Sequence, residues 1–211
     1  FCFTGLGADE RLFSKVFIPG FTLKHIQYVK PLTTETLPDY AKRLCSQINE
    51  VNPILLGVSF GGMLAVEAAK YLQARKVIII SSTKSADLFP TYYHLANKFQ
   101  LLKLFPSRIF NTSGVITNYF FGAETTDDRN VLRHFIKSAD SKFIKWALQK
   151  IIIWNNSSYP VNLIQIHGTK DRIIPISNNV DFSIKDGGHL MIYNRSNAIN
   201  ALLSKILNRS H

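Results

Sequence analysis

The chain has 211 residues, with 25 Lys and Arg against 14 Asp and Glu, a formal net charge of +11. Hydrophobic residues make up 46% and charged residues 18%, a balance that excludes a disordered chain and suits one domain with room for an inserted subdomain. No apolar run approaches the roughly 18 residues of a membrane-spanning helix, and the cations are scattered, so neither a membrane span nor a nucleic-acid-binding surface is expected.

The first element in the chain is a short strand, Phe1–Thr4, which ends at Gly5-Leu6-Gly7. It carries no Met and no basic region leading into a long apolar run, so it does not read as a signal peptide. The chain begins inside a strand, which points to residues missing upstream. The two cysteines, Cys2 in this strand and Cys45 on a helical pattern, are too few and too far apart for a disulfide framework or a metal site. Two buried thiols fit a reducing, cytoplasmic setting. A second strand is expected at His25–Val29. Thr36 then caps a helix whose Leu37, Tyr40, Ala41, Leu44 and Ile48 fall on one face.

Pro53–Val58 is continuously apolar, as a strand covered on both faces should be. Gly61–Gln73 is rich in Ala and Leu and reads as a helix. Lys76–Ser81 is a β-branched strand. This alternation of strand and helix predicts a mostly parallel central sheet with flanking helices. From Thr83 to Tyr159 the strand pattern stops. Helices are expected around Tyr92, Tyr93, Phe99, Leu102 and Phe105, from Thr126-Asp127-Asp128 onward, and over Ser141–Trp154. Strands resume at Val161–His167 and Val180–Ile184, and Ser196–Leu207 is a terminal helix. The chain therefore divides into a core of residues 1–82 and 160–211 and an inserted helical cap of residues 83–159.

Gly57-Val58-Ser59-Phe60-Gly61 is a G-x-S-x-G sequence between an apolar strand and an Ala-rich helix. That setting makes a tight, strained turn and leaves the serine oxygen exposed at the carboxyl end of the sheet. A serine hydroxyl needs a base, and the base needs an orienting acid. Asp171 follows the Val161–His167 strand and His189 follows the last strand, giving the order Ser…Asp…His. Asp87 and Asp186 are alternative acids. The amide of Phe60 and that of Leu6, in the glycine loop after the first strand, are candidate oxyanion donors.

The segments FTGLG, GVSFG, HGTKDRIIP and GGH, in this order, resemble the α/β-hydrolase fold superfamily, in its single-domain branch with a helical cap. The resemblance implies a serine hydrolase with Ser59 as nucleophile, His189 as base and Asp171 as acid, and with the Leu6 and Phe60 amides as the oxyanion hole. It implies a carboxylic (or thio-) ester of small to medium size as substrate, and no metal or organic cofactor. Relatives of the same fold include carbon–carbon bond hydrolases, lyases and non-catalytic ligand-binding proteins, which remain as alternatives.

Two departures from that family stand out. The two strands that usually precede the oxyanion-loop strand are not in this sequence; the expectation is that they are missing upstream or that the sheet is reduced at its amino-terminal end. The stretch from Asp171 to His189 leaves no room for the usual crossover helix. Among the remaining candidates, Tyr92, Tyr93, Phe120, Phe121 and Trp146 are expected to pack the cap or line an acyl pocket. Asp9-Glu10-Arg11 is expected to be a solvated helix start, with ordering of the oxyanion loop or contact with substrate as the alternatives. His25, His94, His134 and His211 are read as ordinary residues, and His167 as a loop hydrogen-bonder.

Overall fold

Alternation along the strands decides the layering. The computed structural model describes residues 1–89 and 114–208. Strands β1 (Cys2–Phe3), β2 (Ile54–Val58), β3 (Lys76–Ile80), β4 (Leu163–Gly168) and β5 (Phe182–Ile184) form one parallel sheet in that order. Successive side chains point to opposite faces. Phe3, Leu55, Val77, Ile79 and Leu163 pack on one side, against α1 (Leu37–Leu44) and α2 (Phe60–Ala68). Cys2, Leu56, Val58, Ile78, Ile80 and Ile166 pack on the other, against the short α6 (Met191–Asn194) and α7 (Ser196–Asn208). Both faces are covered, which is why the strands read as continuous apolar runs.

The expected strand at His25–Val29 is reduced to one parallel bridge, Cys2 to His25. The next acceptor along β1, the Thr4 carbonyl, takes the Tyr28 hydroxyl at 2.6 Å, and on the outer edge the Gln47 side chain accepts from the Gln27 amide and donates to the Gln27 carbonyl, each at 2.9 Å. The bridge lies on the edge of β1 away from β2. The chain thus leaves β1 on one side and returns as β2 on the other. Such a reversal opens a crevice at the carboxyl ends of the strands.

Local chemistry sets the helix ends. Thr36 Oγ1 accepts from the Asp39 amide at 3.2 Å and starts α1. The helix ends at Leu44 and gives way to a 3-10 turn at Cys45–Gln47, short of the Ile48 that the periodicity implied. Helix α2 ends at Ala68, short of Gln73. All nine of its residues are buried. Cys2 and Cys45 are free thiols, and burial pushes the Cys2 thiol up to about 11.

Between β3 and β4 the described residues form three helices: α3 (Val115–Phe121), α4 (Thr126–Ser138) and α5 (Ser141–Ile153). No strand occurs among the described residues of this span. The helix expected around Tyr92 to Phe105 lies outside the described residues. Thr125 and Asp128 form a reciprocal capping box for α4. Helix α3 was not anticipated from the sequence; Gly122, at φ 69°, closes it in the left-handed conformation.

Both ends of the span are tied to α2. Asn156 donates to the Lys84 carbonyl at 3.1 Å and accepts from Lys70 Nζ at 2.7 Å. Lys70 pairs with the buried Glu67 at 2.8 Å, and Glu67 accepts from the Trp154 indole at 2.7 Å. The path from β4 to β5 crosses without a helix. Asp181 pins it, accepting from the Gln165 amide at 2.7 Å while its own amide donates to the Gln165 carbonyl at 3.1 Å. Strand β5 is shorter than the expected Val180–Ile184. Among the described residues no helix is long and apolar enough to cross a membrane.

Candidate active site

The turn between β2 and α2 places Ser59 at φ 53° and ψ −121°, a region L-residues rarely occupy. Such strain costs on the order of 1–3 kcal/mol and persists only where surrounding contacts over-determine it. Here they do. A Cβ on Gly61 would lie 2.2 Å from the Phe3 carbonyl oxygen, and one on Gly57 would lie 2.3 Å from the Gly61 carbonyl oxygen. The Ser59 amide donates to the Ile80 carbonyl at 3.0 Å, and its carbonyl accepts from Ser82 Oγ at 2.7 Å. Strand, helix and turn therefore interlock, and the Ser59 hydroxyl is held at the carboxyl edge of the sheet.

Two loops bring the partners. His189 Nε2 lies 2.9 Å from Ser59 Oγ, and His189 Nδ1 lies 2.8 Å from Asp171 Oδ2. A carboxylate only accepts, so Nδ1 carries the proton and Nε2 is free to accept from the serine. Asp171 Oδ1 accepts from the amides of Ile173 and Ile174, each at 3.0 Å. Burial by itself raises the Asp171 pKa. The charge of His189 and the hydrogen bonds from His167 and His189 outweigh it and hold the carboxyl well below its usual range.

The loops touch each other through glycine. A Cβ on Gly168 would lie 2.2 Å from the Gly187 carbonyl oxygen, and that same oxygen accepts from the Lys170 amide at 2.9 Å. Helix α3 supports the histidine from above. The Leu190 amide donates to the Phe121 carbonyl at 3.0 Å, and the Phe121 ring meets the imidazole edge-on at 5.6 Å.

The loop after β1 passes beside Ser59, where a Cβ on Gly5 would lie 3.7 Å from the serine Cβ. The amides of Leu6 and Phe60 have no hydrogen-bond partner among the described residues. Phe60 opens α2, so its N–H has no intrahelical acceptor.

Above these groups lies a cavity of about 410 Å³. Leu132, Phe135 and Ile136 of α4 and Ile144, Leu148 and Ile151 of α5 line it, with Leu6, Ser59 and His189 at its floor. Among the described residues no charged side chain lines it. A second hollow of about 440 Å³ lies at the amino ends of the strands, near Phe1, Ile54 and Leu207, and holds none of the groups around Ser59. Among the described residues, no cluster of three His, Cys, Asp or Glu side chains is placed to hold a metal ion.

The other candidates fall elsewhere. Asp87 is exposed on a 3-10 turn at Ala86–Leu88. Asp186 pairs with Lys170 at 2.8 Å, and it is Asp171 that bonds His189 Nδ1. Phe121 lines the cavity, whereas Phe120 is exposed and Trp146 packs at a tilt against Tyr40, ring centres 4.9 Å apart. Tyr92, Tyr93, His94 and His211 lie outside the described residues.

Asp9 Oδ1 accepts from the Arg11 amide at 3.0 Å, and Asp9 Oδ2 lies 3.2 Å from His134 Nε2. That segment thus orders the loop after β1 and ties it to α4. Glu10 is exposed, and His25 packs on Phe13 at 5.5 Å. Sequence reasoning missed the support of His189 by α3. The signal was Phe121-Gly122, an apolar residue followed by a helix-ending glycine.

No family profile and no curated protein matches the chain. Solved structures do. A thermophilic esterase from Thermogutta terrifontis superposes with a TM-score of 0.66 at 17% identity, over 99% of this chain and 88% of that one. A hydrolase from Oleispira antarctica gives 0.66 at 15% identity, over 99% and 90%. A hydrolase from Pseudomonas aeruginosa gives 0.68 at 12% identity, over 98% and 88%. Likeness at such identities is a likeness of fold, and the fold is that of the α/β-hydrolases.

Proposed function

We propose that the protein is a serine hydrolase that cleaves uncharged carboxylic or thio-esters through an acyl-enzyme. What carries this reading is a continuous hydrogen-bond chain, Asp171 to His189 to Ser59, that opens on the floor of an apolar cavity.

Ser59 Oγ attacks the ester carbonyl while His189 Nε2 takes its proton. Asp171 holds the Nδ1–H tautomer and stabilises the imidazolium that forms. Charge develops on the carbonyl oxygen, where the amides of Leu6 and Phe60 receive it. Each such donor contributes about 3 kcal/mol to lowering the barrier. The amino terminus of α2 adds a favourable field. Imidazolium then protonates the leaving alkoxide or thiolate. Water, deprotonated by the same Nε2, releases the acid.

The described helices of the inserted span, α3, α4 and α5, act as a cap, and α4 and α5 offer the acyl chain an aliphatic wall. Burying a charge against such a wall costs several kcal/mol, so the acyl group is apolar. A cavity of about 410 Å³ accepts a small to medium substrate.

The test is a set of p-nitrophenyl esters. Hexanoate is expected to react faster than acetate, and the charged monosuccinate slowest of the three. Each is expected to release a rapid burst of one nitrophenol per enzyme. A burst that persists in Ser59→Ala, or no hydrolysis of any ester, contradicts the proposal.

A further inference from the structure

His167 is the buried titratable group that the mechanism above leaves unused. It sits on β4, four residues before Asp171, with its side chain 1% exposed. Its Nε2 lies 2.7 Å from the Ile174 carbonyl oxygen and 3.4 Å from Asp171 Oδ2. Both neighbours only accept, so Nε2 carries a proton. The other ring nitrogen, Nδ1, is buried without a partner among the described residues. A hydrogen on Nδ1 would find no acceptor there, so the hydrogen the ring offers its neighbours is the one on Nε2.

That single N–H closes a small circuit. It fixes the carbonyl of Ile174, whose own amide, with that of Ile173, donates to Asp171 Oδ1. The opposite oxygen, Oδ2, is thereby aimed at His189 Nδ1. Oδ1 takes the two amides and lies 3.1 Å from His189 Nδ1, while Oδ2 lies against both the catalytic imidazole at 2.8 Å and His167 Nε2 at 3.4 Å.

We propose that His167 is a positioning residue for the reaction: its Nε2–H sets the turn at residues 171–174 and so aims Asp171 at His189. The proposal rests on the reading of Ser59, His189 and Asp171 as a catalytic set. His167 itself does not line the cavity, but Ile173 and Ile174 of the turn do, so a route through Asp171 is separated from one through the cavity wall by the Asp171→Asn background below. An orienting group misplaced by a fraction of an ångström costs up to about 100-fold in rate.

The test compares His167→Leu, which removes the donor, with His167→Gln, whose side-chain amide places an N–H near the position of Nε2. Rates are expressed as kcat per serine titrated with a fluorophosphonate, so that unfolded molecules drop out. His167→Leu is expected to lower kcat roughly 10- to 100-fold with KM unchanged, and His167→Gln to restore it to within a few-fold. In an Asp171→Asn background His167→Leu is expected to cost nothing further, because the route runs through the carboxylate.

If the Leu variant does not fold, His167→Asn replaces it, since its amide is too short to reach the Ile174 carbonyl. Equal kcat per titrated site in the donor-free variant and the wild type overturns the proposal. So does an undiminished effect in the Asp171→Asn background. Wild-type hydrolysis by Ser59→Ala is a different failure, that of the serine reading itself.

Discussion

Around Ser59, backbones touch. The turn carrying the serine lies so close to β1 that a methyl group at Gly61 would overlap the Phe3 carbonyl. Across the same cavity, α4 and α5 present aliphatic and aromatic side chains, Leu132, Phe135 and Ile136 with Ile144, Leu148 and Ile151. One wall thus fixes particular residue types at particular positions. The other asks only for apolar volume. On the proposed reading, chemistry is built where nothing else fits, and selectivity where many side chains would serve.

Substitutions probe that contrast, and the largest effects belong to the first wall. Ser59→Ala is expected to cost about 10⁶ in kcat without unfolding, and Asp171→Asn about 10⁴ by stranding the imidazole in the wrong tautomer. Asp87→Asn and Asp186→Asn should each stay within a few-fold. Steady-state kinetics with an activated ester measures all four, and a crippled Asp87→Asn breaks the assignment of the acid.

Gly61→Ala, a one-methyl change, is expected to abolish folding or cost more than about 4 kcal/mol, read by urea denaturation. A stable, active Gly61→Ala protein would show that the elbow is less constrained than its contacts imply.

The second wall predicts selectivity changes. Leu148→Ala enlarges the cavity by three carbons. It should shift preference toward longer acyl chains by roughly 10-fold while the fold survives. Unchanged chain-length ratios would place the acyl group elsewhere.

The smallest effect is one of pH. The Asp171 pKa lies below the unfolded value of about 3.9. A pKa lowered by folding adds stability that is present above the unfolded value and lost as pH falls through the folded one. The stability gap between wild type and Asp171→Asn should therefore be widest near pH 7 and narrower at pH 3, as followed by urea titration. A gap equally wide at both contradicts the charge assignment.

This contrast also explains what could be read from the residues. Gly57, Ser59 and Gly61 were legible because steric exclusion writes itself into residue identity. The strands were legible because burial on both faces demands β-branched runs such as Val77–Ile80. His25–Val29 misled because the Thr4 carbonyl, the next acceptor along β1, takes the Tyr28 hydroxyl, which no local pattern shows. Helix α3 was missed because its exposed Val115, Ile116 and Tyr119 break the usual amphipathic stripe. The route from β4 to β5 reads as too short for a helix, and it has none. Its anchor, Asp181 on Gln165, is a tertiary contact that spacing does not reveal. The partners of His167 were hidden for the same reason: the sequence places it beside Asp171 but not against the Ile174 carbonyl.

The central claim is that Ser59 is the activated nucleophile, and covalent labelling tests it most directly. Wild-type protein treated with a fluorophosphonate at neutral pH is expected to gain one adduct, located by mass spectrometry on the peptide containing Ser59, and Ser59→Ala is expected to gain none. An adduct on another serine, or equal labelling of the Ala variant, would contradict it.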